Sequence, residues 1–363
     1  MSTKKLKILV VDDSVVYRKI VRDVLFKIPD IEIVGVASNG KLAVDKIELL
    51  KPDLLTLDLE MPEMNGIDVL KYINKKQYST GAIMLSGFTH EGAQVTMDAL
   101  SNGAFDFIVK PGKSTLQENQ DKLYAHLLPV IEAYRGRQCS GVCELLERQT
   151  RQKKIEPFYT KPIGSLLKQA PDIIAIGVST GGPVALTQLL SELPASYNVP
   201  IVIVQHMPSL FTKSLATQLN SVCQQNVCEA EDGQLLQPGS IYIAPGGYQM
   251  KVITDQGRSR ICITDDPPIE SCKPSVNYLF ESVADVYKRR ALGIILTGMG
   301  QDGMQGCKRL YKEGAMILTQ EESSCVVYGM PKAVVEAGVA HYICSIEEVV
   351  EKMVEASNCG VTL

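Results

Sequence analysis

Short apolar runs alternate with helical patterns along the first third of the chain. The runs at residues 7–11, 31–37, 54–57, 82–85 and 107–109 are typical of strands. Between the first two, Val16, Ile20 and Val24 recur at the spacing of one helical face. Alternating strands and helices predict a parallel sheet covered by helices on both faces, which excludes all-helical and all-strand folds for this part of the chain.

Polar side chains stand where these runs end. Asp12 and Asp13 follow the first run, Asp58 the third, Ser86 the fourth and Lys110 the fifth. Open sheets of this class place their sites at the carboxyl ends of the strands. Helix capping or a turn explains one such aspartate equally well. It does not explain five polar groups gathered at the same edge.

The chemistry of these groups points to phosphoryl transfer. Three carboxylates in one crevice repel one another unless a hard cation lies between them, and Mg²⁺ prefers oxygen ligands. Lys110 adds a positive charge, and the Ser86 hydroxyl can reach a phosphoryl oxygen. A carboxylate beside Mg²⁺ and lysine is equipped to attack phosphorus, which gives an aspartyl phosphate.

Four stretches resemble the receiver domain of two-component response regulators, which has a flavodoxin-like fold: VDDS (11–14), LTLDLEMPEMNG (55–66), MLSG (84–87) and FDFIVKP (105–111). The resemblance implies that Asp58 is the phospho-acceptor. It implies supporting groups as well, namely the Mg²⁺ ligands Asp12, Asp13, Asp58 and the Glu60 backbone carbonyl, and the phosphoryl-sensing Ser86 and Lys110. The Lys110–Pro111 bond is a candidate cis peptide.

A connector is predicted between two domains. A helical pattern covers residues 115–134, whereas residues 135–168 show little periodicity, include RQTRQKK and are expected to hold one short helix at 142–148. A solvated tether and a partner-binding segment both fit this composition. We expect a receiver at residues 1–125, a linker at 126–168 and a second domain at 169–357.

Residues 173–178, 200–205 and 291–297 are apolar runs of the buried parallel-strand type, so a doubly wound parallel sheet is predicted for the second domain. After the first run, Ser179 stands in G-x-S-x-G between a strand and a helical pattern. That context gives the motif its meaning as a nucleophile turn. By itself, the stretch is explained equally well as a glycine-rich entry to a helix.

His206 and Asp302 follow the second and third apolar runs. They are therefore predicted at the same edge of the sheet as Ser179. A serine, a base and a carboxylate that orients the base are the groups that acyl transfer needs. The chain order Ser, His, Asp differs from that of ordinary α/β-hydrolases. The remaining histidines lack this setting and are expected to be structural or exposed: His90, His126 and His341.

The turn at residues 298–303 also fits the dinucleotide-binding pattern G-x-G-x-x-G. Asp302 would then project from a loop that must hold pyrophosphate, which is electrostatically unfavourable. No helix of clear periodicity is predicted between this turn and the next strand. A dinucleotide site is therefore disfavoured.

The second domain resembles the chemotaxis protein-glutamate methylesterases, the CheB family. The matching stretches are IGVSTGGP (176–183), QHMP (205–208), IAPGG (243–247), KPSVNYLFESVA (273–284), ILTGMGQDG (295–303) and VVYGMP (326–331). The resemblance implies hydrolysis of glutamyl methyl esters, and deamidation of glutamines, on chemoreceptor cytoplasmic helices. It makes Ser179 the nucleophile, His206 the base and Asp302 its partner, with the Met299 N–H in the oxyanion hole and Thr180 positioning His206.

The resemblance further implies a chemotaxis histidine kinase as phosphodonor and no cofactor in the catalytic domain. A net charge of −4 and no basic recognition helix argue against a nucleic-acid partner, and so against a DNA-binding regulator. No apolar stretch has the length of a membrane span, and the first run is too short for a signal peptide, so we expect a cytoplasmic protein without membrane insertion. The remaining alternative is a regulator whose second domain binds partners without catalysis.

The ten cysteines fit no paired CxxC metal pattern. Several lie within apolar runs, as buried free thiols do. They are expected to be structural.

Overall fold

The computed structural model describes residues 5–112, 115–147, 163, 167 and 169–359. The chain forms two compact units, Met1–Thr150 and Arg151–Leu363. Each unit has its own parallel sheet, so we describe them separately.

The first unit is built on a five-stranded sheet in the order β2-β1-β3-β4-β5. Its strands are β1 (Leu6–Val11), β2 (Ile31–Ala37), β3 (Leu54–Asp58), β4 (Gly81–Ser86) and β5 (Asp106–Val109). Its helices are α1 (Val15–Leu25), α2 (Gly40–Leu50), α3 (Gly66–Lys76), α4 (His90–Ser101) and α5 (Leu116–Glu147). All adjacent strands pair in parallel. This order is that of the flavodoxin-like fold, which confirms the predicted fold class.

Helix α5 is longer than its sequence pattern predicts. Leu123, Leu127 and Ile131 are buried, and the helix packs on α1 and β5. It then continues to Glu147, through the first part of the predicted linker. The apolar periodicity fades after Tyr134, but good helix formers recur at Arg135, Arg137 and Gln138 and over residues 144–147. The rest of the predicted linker lies outside the described residues, except 163 and 167.

The candidate cis bond before Pro111 is not found. Among the described residues, the cis peptide is Lys273–Pro274. Lys110–Pro111 adopts the trans form, which is the more stable form of most X–Pro bonds.

The second unit is built on a seven-stranded parallel sheet in the order β14-β13-β12-β6-β7-β9-β8, with a separate antiparallel hairpin, β10-β11. The strands are β6 (Ile173–Val178), β7 (Ile201–Gln205), β8 (Asn226–Glu229), β9 (Ser240–Ile243), β10 (Gln249–Asp255), β11 (Arg258–Thr264), β12 (Ala291–Ile295), β13 (Met316–Gln320) and β14 (Tyr342–Cys344). The helices are α6 (Gly182–Ser191), α7 (Phe211–Val222), α8 (Val276–Tyr287), α9 (Met304–Lys312), α10 (Met330–Glu336) and α11 (Ile346–Ser357). The three predicted strands, β12, β6 and β7, are neighbours at its centre.

One expectation for this unit is wrong. Helix α9 begins directly after the 298–303 turn, where no periodic helix was predicted. It is only nine residues long, and its buried side is Gly306, Cys307 and Leu310. A glycine and a cysteine on the inner side give only a weak apolar period, so the sequence does not predict this helix.

The eight cysteines from Cys223 to Cys359 are free thiols. Of these eight, Cys307 and Cys344 are buried and the other six are half-buried. None of the helices within the described ranges is both long and apolar enough to cross a membrane.

Candidate active site

The first unit collects its acidic residues beyond β1 and β3. Asp12 and Asp58 are buried, whereas Asp13 is exposed. Carboxylate oxygens of the three residues lie within 4.8 Å of one another. Lys110 Nζ lies 2.8 Å from both Asp12 Oδ2 and Asp58 Oδ2. The structure therefore brings together four of the residues predicted for this site.

The surroundings of Asp58 disfavour the charged form of its carboxyl group. Burial raises the pKa of its carboxyl, and although Lys110 lowers it, Asp12 and Asp13 raise it further, to about 6. One lysine thus does not neutralise this carboxylate cluster. A hard cation with oxygen ligands would lower the repulsion, so the residues fit Mg²⁺.

Ser86 and Glu60 lie at the margin of this cluster. The Ser86 hydroxyl is fully buried, accepts a hydrogen bond from Thr96 Oγ1 at 2.8 Å and lies 3.3 Å from the Gly92 carbonyl. The serine is thus hydrogen-bonded to α4. Glu60 is exposed. The roles predicted for both residues remain predictions.

In the second unit, Ser179 directly follows β6 at the centre of the sheet. Its N–H donates to the Thr297 carbonyl at 3.0 Å. Gly181 then takes a φ of +79°, a left-handed conformation that favours glycine, and α6 begins at Gly182. A Cβ at Gly182 would lie 1.9 Å from Gln205 Oε1. The two glycines of the G-x-S-x-G-G turn therefore allow its tight path.

His206 follows β7, beside Ser179 in sheet order. Its backbone N–H donates to the Val178 carbonyl at 3.1 Å, which ties the two strand ends together. Its Nε2 lies 2.8 Å from Asp302 Oδ2, and the Asp302 side chain is only 3% exposed. Because an ionised carboxylate only accepts, Nε2 carries the proton of this bond.

Asp302 is held in the charged state by the start of α8. It accepts hydrogen bonds from Val276 N–H at 2.7 Å and Asn277 N–H at 2.9 Å. Ser275 Oγ and Gly303 N–H add bonds at 2.9 and 3.0 Å. Burial raises the pKa of Asp302, but these bonds and the histidine outweigh it and lower the pKa. A carboxylate at a helix N-terminus is favoured by the helix dipole as well.

The surroundings of His206 favour its protonated form. Burial lowers the pKa of the imidazole, but Asp302 and Cys272 outweigh burial and raise it to about 9. The site is therefore arranged to stabilise an imidazolium. That charge forms when a histidine removes the proton of a serine nucleophile.

His206 and Ser179 are not hydrogen-bonded to each other within the described structure. The Nδ1 atom of His206 lies 4.0 Å from Cys272 Sγ. Catalytic hydrogen bonds are often long before substrate binds, so this geometry is compatible with a serine–histidine pair.

The peptide after β12 passes close to the nucleophile. A Cβ at Gly298 would lie 2.8 Å from Ser179 Cβ. The next N–H, that of Met299, has no acceptor among the described residues. A donor without an acceptor at this position suits an oxyanion hole. Thr180 is buried, and its predicted role in positioning His206 remains a prediction.

Several residues of the site have no clear signal in the sequence. Gln205 Nε2 donates to the carbonyls of Ser179 and His206, at 2.9 and 3.2 Å. Its place as the last strand residue before the histidine was the available clue. Ser275 is the N-cap of α8, and its bond to Asp302 joins residues 27 apart in the sequence. The sequence does not predict that Cys272 lies near His206, because the backbone conformation of a turn brings the two residues together.

Two family profiles match this chain. The CheB methylesterase profile matches residues 174–353, and the response regulator receiver domain profile matches residues 8–119. A protein-glutamate methylesterase/protein-glutamine glutaminase of Desulfotalea psychrophila is 48% identical, with 97% of this chain and 98% of that protein covered. One of Thermotoga maritima, with the same name, is 37% identical, over 98% of this chain and 99% of its own.

A solved structure is similar to the second unit. The crystal structure of the Thermotoga maritima CheB methylesterase catalytic domain is 39% identical, with a TM-score of 0.50. The match covers 51% of this chain and 98% of that domain. The likeness thus extends over an entire catalytic domain.

Proposed function

This chain belongs to the CheB methylesterase family, with a response regulator receiver domain, and from that membership we propose a phosphorylation-activated serine hydrolase. Its substrates are glutamate methyl esters on methyl-accepting chemoreceptors, and specific receptor glutamines are deamidated at the same site. The observation that carries the proposal is the His206–Asp302 pair, 2.8 Å apart, at the same sheet edge as Ser179.

The hydrogen bond to Asp302 determines which nitrogen of His206 can act as the base. Asp302 occupies Nε2, so Nδ1 is the atom left to accept the Ser179 proton. Ser179 Oγ attacks the ester carbonyl, and the oxygen that becomes negative accepts a hydrogen bond from the Met299 N–H. The imidazolium then gives its proton to the leaving methoxide, which departs as methanol.

Hydrolysis of the acyl-enzyme reverses these roles. His206 removes a proton from water, the resulting hydroxide attacks the acyl carbon, and Ser179 recovers its proton as the glutamate carboxylate leaves. Asp302 keeps its charge throughout and stabilises the imidazolium. A glutamine side chain follows the same course with ammonia as the leaving group.

The receiver supplies the control. Asp58 accepts a phosphoryl group from a chemotaxis histidine kinase in the cytoplasm, where the receptor's signalling helices lie. Asp12, Asp13, Asp58 and the Glu60 carbonyl would hold Mg²⁺, which would supply positive charge beside the incoming phosphoryl group. Ser86 and Lys110 then contact that group. Phosphorylation shifts a two-state equilibrium toward an enzyme whose Ser179 is accessible.

Methanol release from methylated receptor membranes tests the activity. We expect release by the wild-type chain, a rise when acetyl phosphate and Mg²⁺ are added, and none from Ser179→Ala. Asp58→Ala should keep the basal rate and lose the rise. Absence of release under both conditions would exclude the esterase. A fully stimulated rate in Asp58→Ala would exclude the switch alone.

The non-catalytic alternative makes a different prediction. A second unit that only binds receptors would retain its output in Ser179→Ala. The buried, charged Asp302 argues against it, because burying a carboxylate and orienting a histidine with it are costly for a surface that only binds.

A further inference from the structure

A two-residue turn between β11 and α8 carries an unusual backbone. Ile269 and Cys272 exchange two backbone hydrogen bonds, of 2.8 and 3.2 Å. The residues between them, Glu270 and Ser271, have φ values of +49° and +66°. Turns of this kind favour glycine and asparagine, so these two residues hold an unfavourable conformation. The turn fixes the position of Cys272.

That position brings the thiol to the catalytic histidine. Cys272 Sγ lies 4.0 Å from His206 Nδ1, and both side chains are half-buried, so small solutes can reach them. Ligand atoms of Cys272, His206 and Asp302 all lie within 4.8 Å of one another. The thiol is therefore one of three metal-ligating groups that meet here.

The hydrogen bonds that Asp302 accepts determine which of the three side chains remain available to a metal ion. Its oxygens already accept from α8, from Gly303 and from His206 Nε2. The carboxylate is thus occupied, whereas Nδ1 of His206 faces the sulfur and offers a lone pair once the imidazole has lost its second proton. A histidine that donates one N–H to a carboxylate and uses its other nitrogen as a ligand is a recurring arrangement in metal sites.

The ligand types select the cation. Thiolate and imidazole are zinc ligands, whereas Mg²⁺ and Ca²⁺ prefer oxygen. With Zn–S and Zn–N bonds of usual length at a tetrahedral angle, sulfur and nitrogen lie about 3.5 Å apart. The observed separation is 4.0 Å. A small rotation of the half-buried Cys272 side chain would close this difference.

We propose that Cys272 Sγ and His206 Nδ1 form a binding site for a thiophilic divalent cation, best matched by Zn²⁺, which inhibits the enzyme. Asp302 orients the imidazole, and water completes the coordination. Binding releases the thiol proton and the Nδ1 proton of the imidazolium to solvent, and the cation occupies the lone pair that must accept the Ser179 proton. The inhibition rests on the proposed esterase function, but the binding does not.

Cobalt absorbance tests the binding without turnover. We expect the full chain to bind Co²⁺ with a near-ultraviolet thiolate-to-metal band, and Zn²⁺ in equimolar amount to abolish the band. The band should be lost in Cys272→Ser and kept in Cys262→Ser, a matched change at another half-buried thiol. A band that persists in Cys272→Ser, or no band in the wild type, would overturn the site.

Methanol release tests the inhibition, with each variant compared with its own metal-free rate. We expect micromolar Zn²⁺ to inhibit the wild type and Cys262→Ser, a chelator to restore both, and Cys272→Ser to need at least about ten times more Zn²⁺. Equal inhibition of Cys272→Ser would contradict the proposal. A cobalt band in a chain that releases no methanol would leave the metal site standing and exclude the esterase.

Discussion

At the scale of single residues, Asp302 determines what His206 can do. Asp302→Asn keeps the shape but removes the charge that stabilises the imidazolium, so kcat should fall by about 10³- to 10⁴-fold. The pKa of His206, which Asp302 raises, should fall as well. The pH dependence of methanol release reports both effects.

Ser275→Ala is the matched control for this change. It removes one of the hydrogen bonds to Asp302 and leaves the charge in place, so the loss of rate should be much smaller. If Asp302→Asn and Ser275→Ala had equal rates, the charge of Asp302 would have no catalytic role.

Asp58 gives a second prediction at this scale. The folded state raises its pKa from 3.8 to about 6, so the folded chain binds this proton more tightly than the unfolded chain. The tighter proton binding contributes to the free energy of unfolding. This contribution is fully present below about pH 4 and is lost as the pH rises through about 6. Asp58→Asn should therefore stabilise the first unit at pH 7.5, by on the order of 2 kcal/mol without Mg²⁺.

Urea unfolding at several pH values measures this difference. This difference should shrink toward zero near pH 4, and Mg²⁺ should reduce it at pH 7.5 by stabilising the wild type more than Asp58→Asn, which lacks one of the ligands. A difference that is independent of pH would show that ionisation of Asp58 is not its cause.

At the scale of elements, strand β6 and helix α8 approach each other closely. Strand β6 leads into Ser179, and the start of α8 supplies hydrogen bonds to Asp302. A Cβ at Gly177 would lie 2.3 Å from Val276 Cγ1 and 2.9 Å from Ile295 Cδ1. Valine is stiff at χ1, so α8 must shift to accommodate Gly177→Ala. We expect a loss of about 1–3 kcal/mol in the unfolding free energy and a lower kcat.

Gly293→Ala on the neighbouring strand β12 is the control. Its Cβ would lie 3.0 Å from Ile317 Cδ1 and Leu310 Cδ1, the mobile ends of two side chains. Its cost in urea unfolding should be smaller, and kcat should stay near the wild-type value. If Gly293→Ala lost more unfolding free energy and more kcat than Gly177→Ala, the role given to Gly177 would be wrong.

The elements also show which parts of the structure a sequence reveals. Continuous apolar runs predict the buried strands at the centre of each sheet, and the polar residues after them predict that Ser179, His206 and Asp302 share one sheet edge, where the structure places them. The strands β8 and β11 are half-exposed and show no such run. Cys272 reaches His206 through a turn of two left-handed residues, a conformation that neither side chain predicts.

At the scale of the whole molecule, the two units share one design, with reactive groups at the carboxyl ends of a parallel sheet. A coupling between them must act in both directions, because effects on binding equilibria are reciprocal. If a phosphoryl group on Asp58 makes Ser179 accessible, occupancy of Ser179 must favour the phosphorylated form.

Beryllofluoride, a mimic of the phosphoryl group, makes this reciprocity measurable. It should speed the modification of Ser179 by a sulfonyl fluoride, and the modified chain should bind beryllofluoride more tightly. Asp58→Ala should lose the acceleration and keep the basal rate of modification. Faster modification without tighter binding would mean that beryllofluoride acts on Ser179 by a route other than a shared equilibrium between two states.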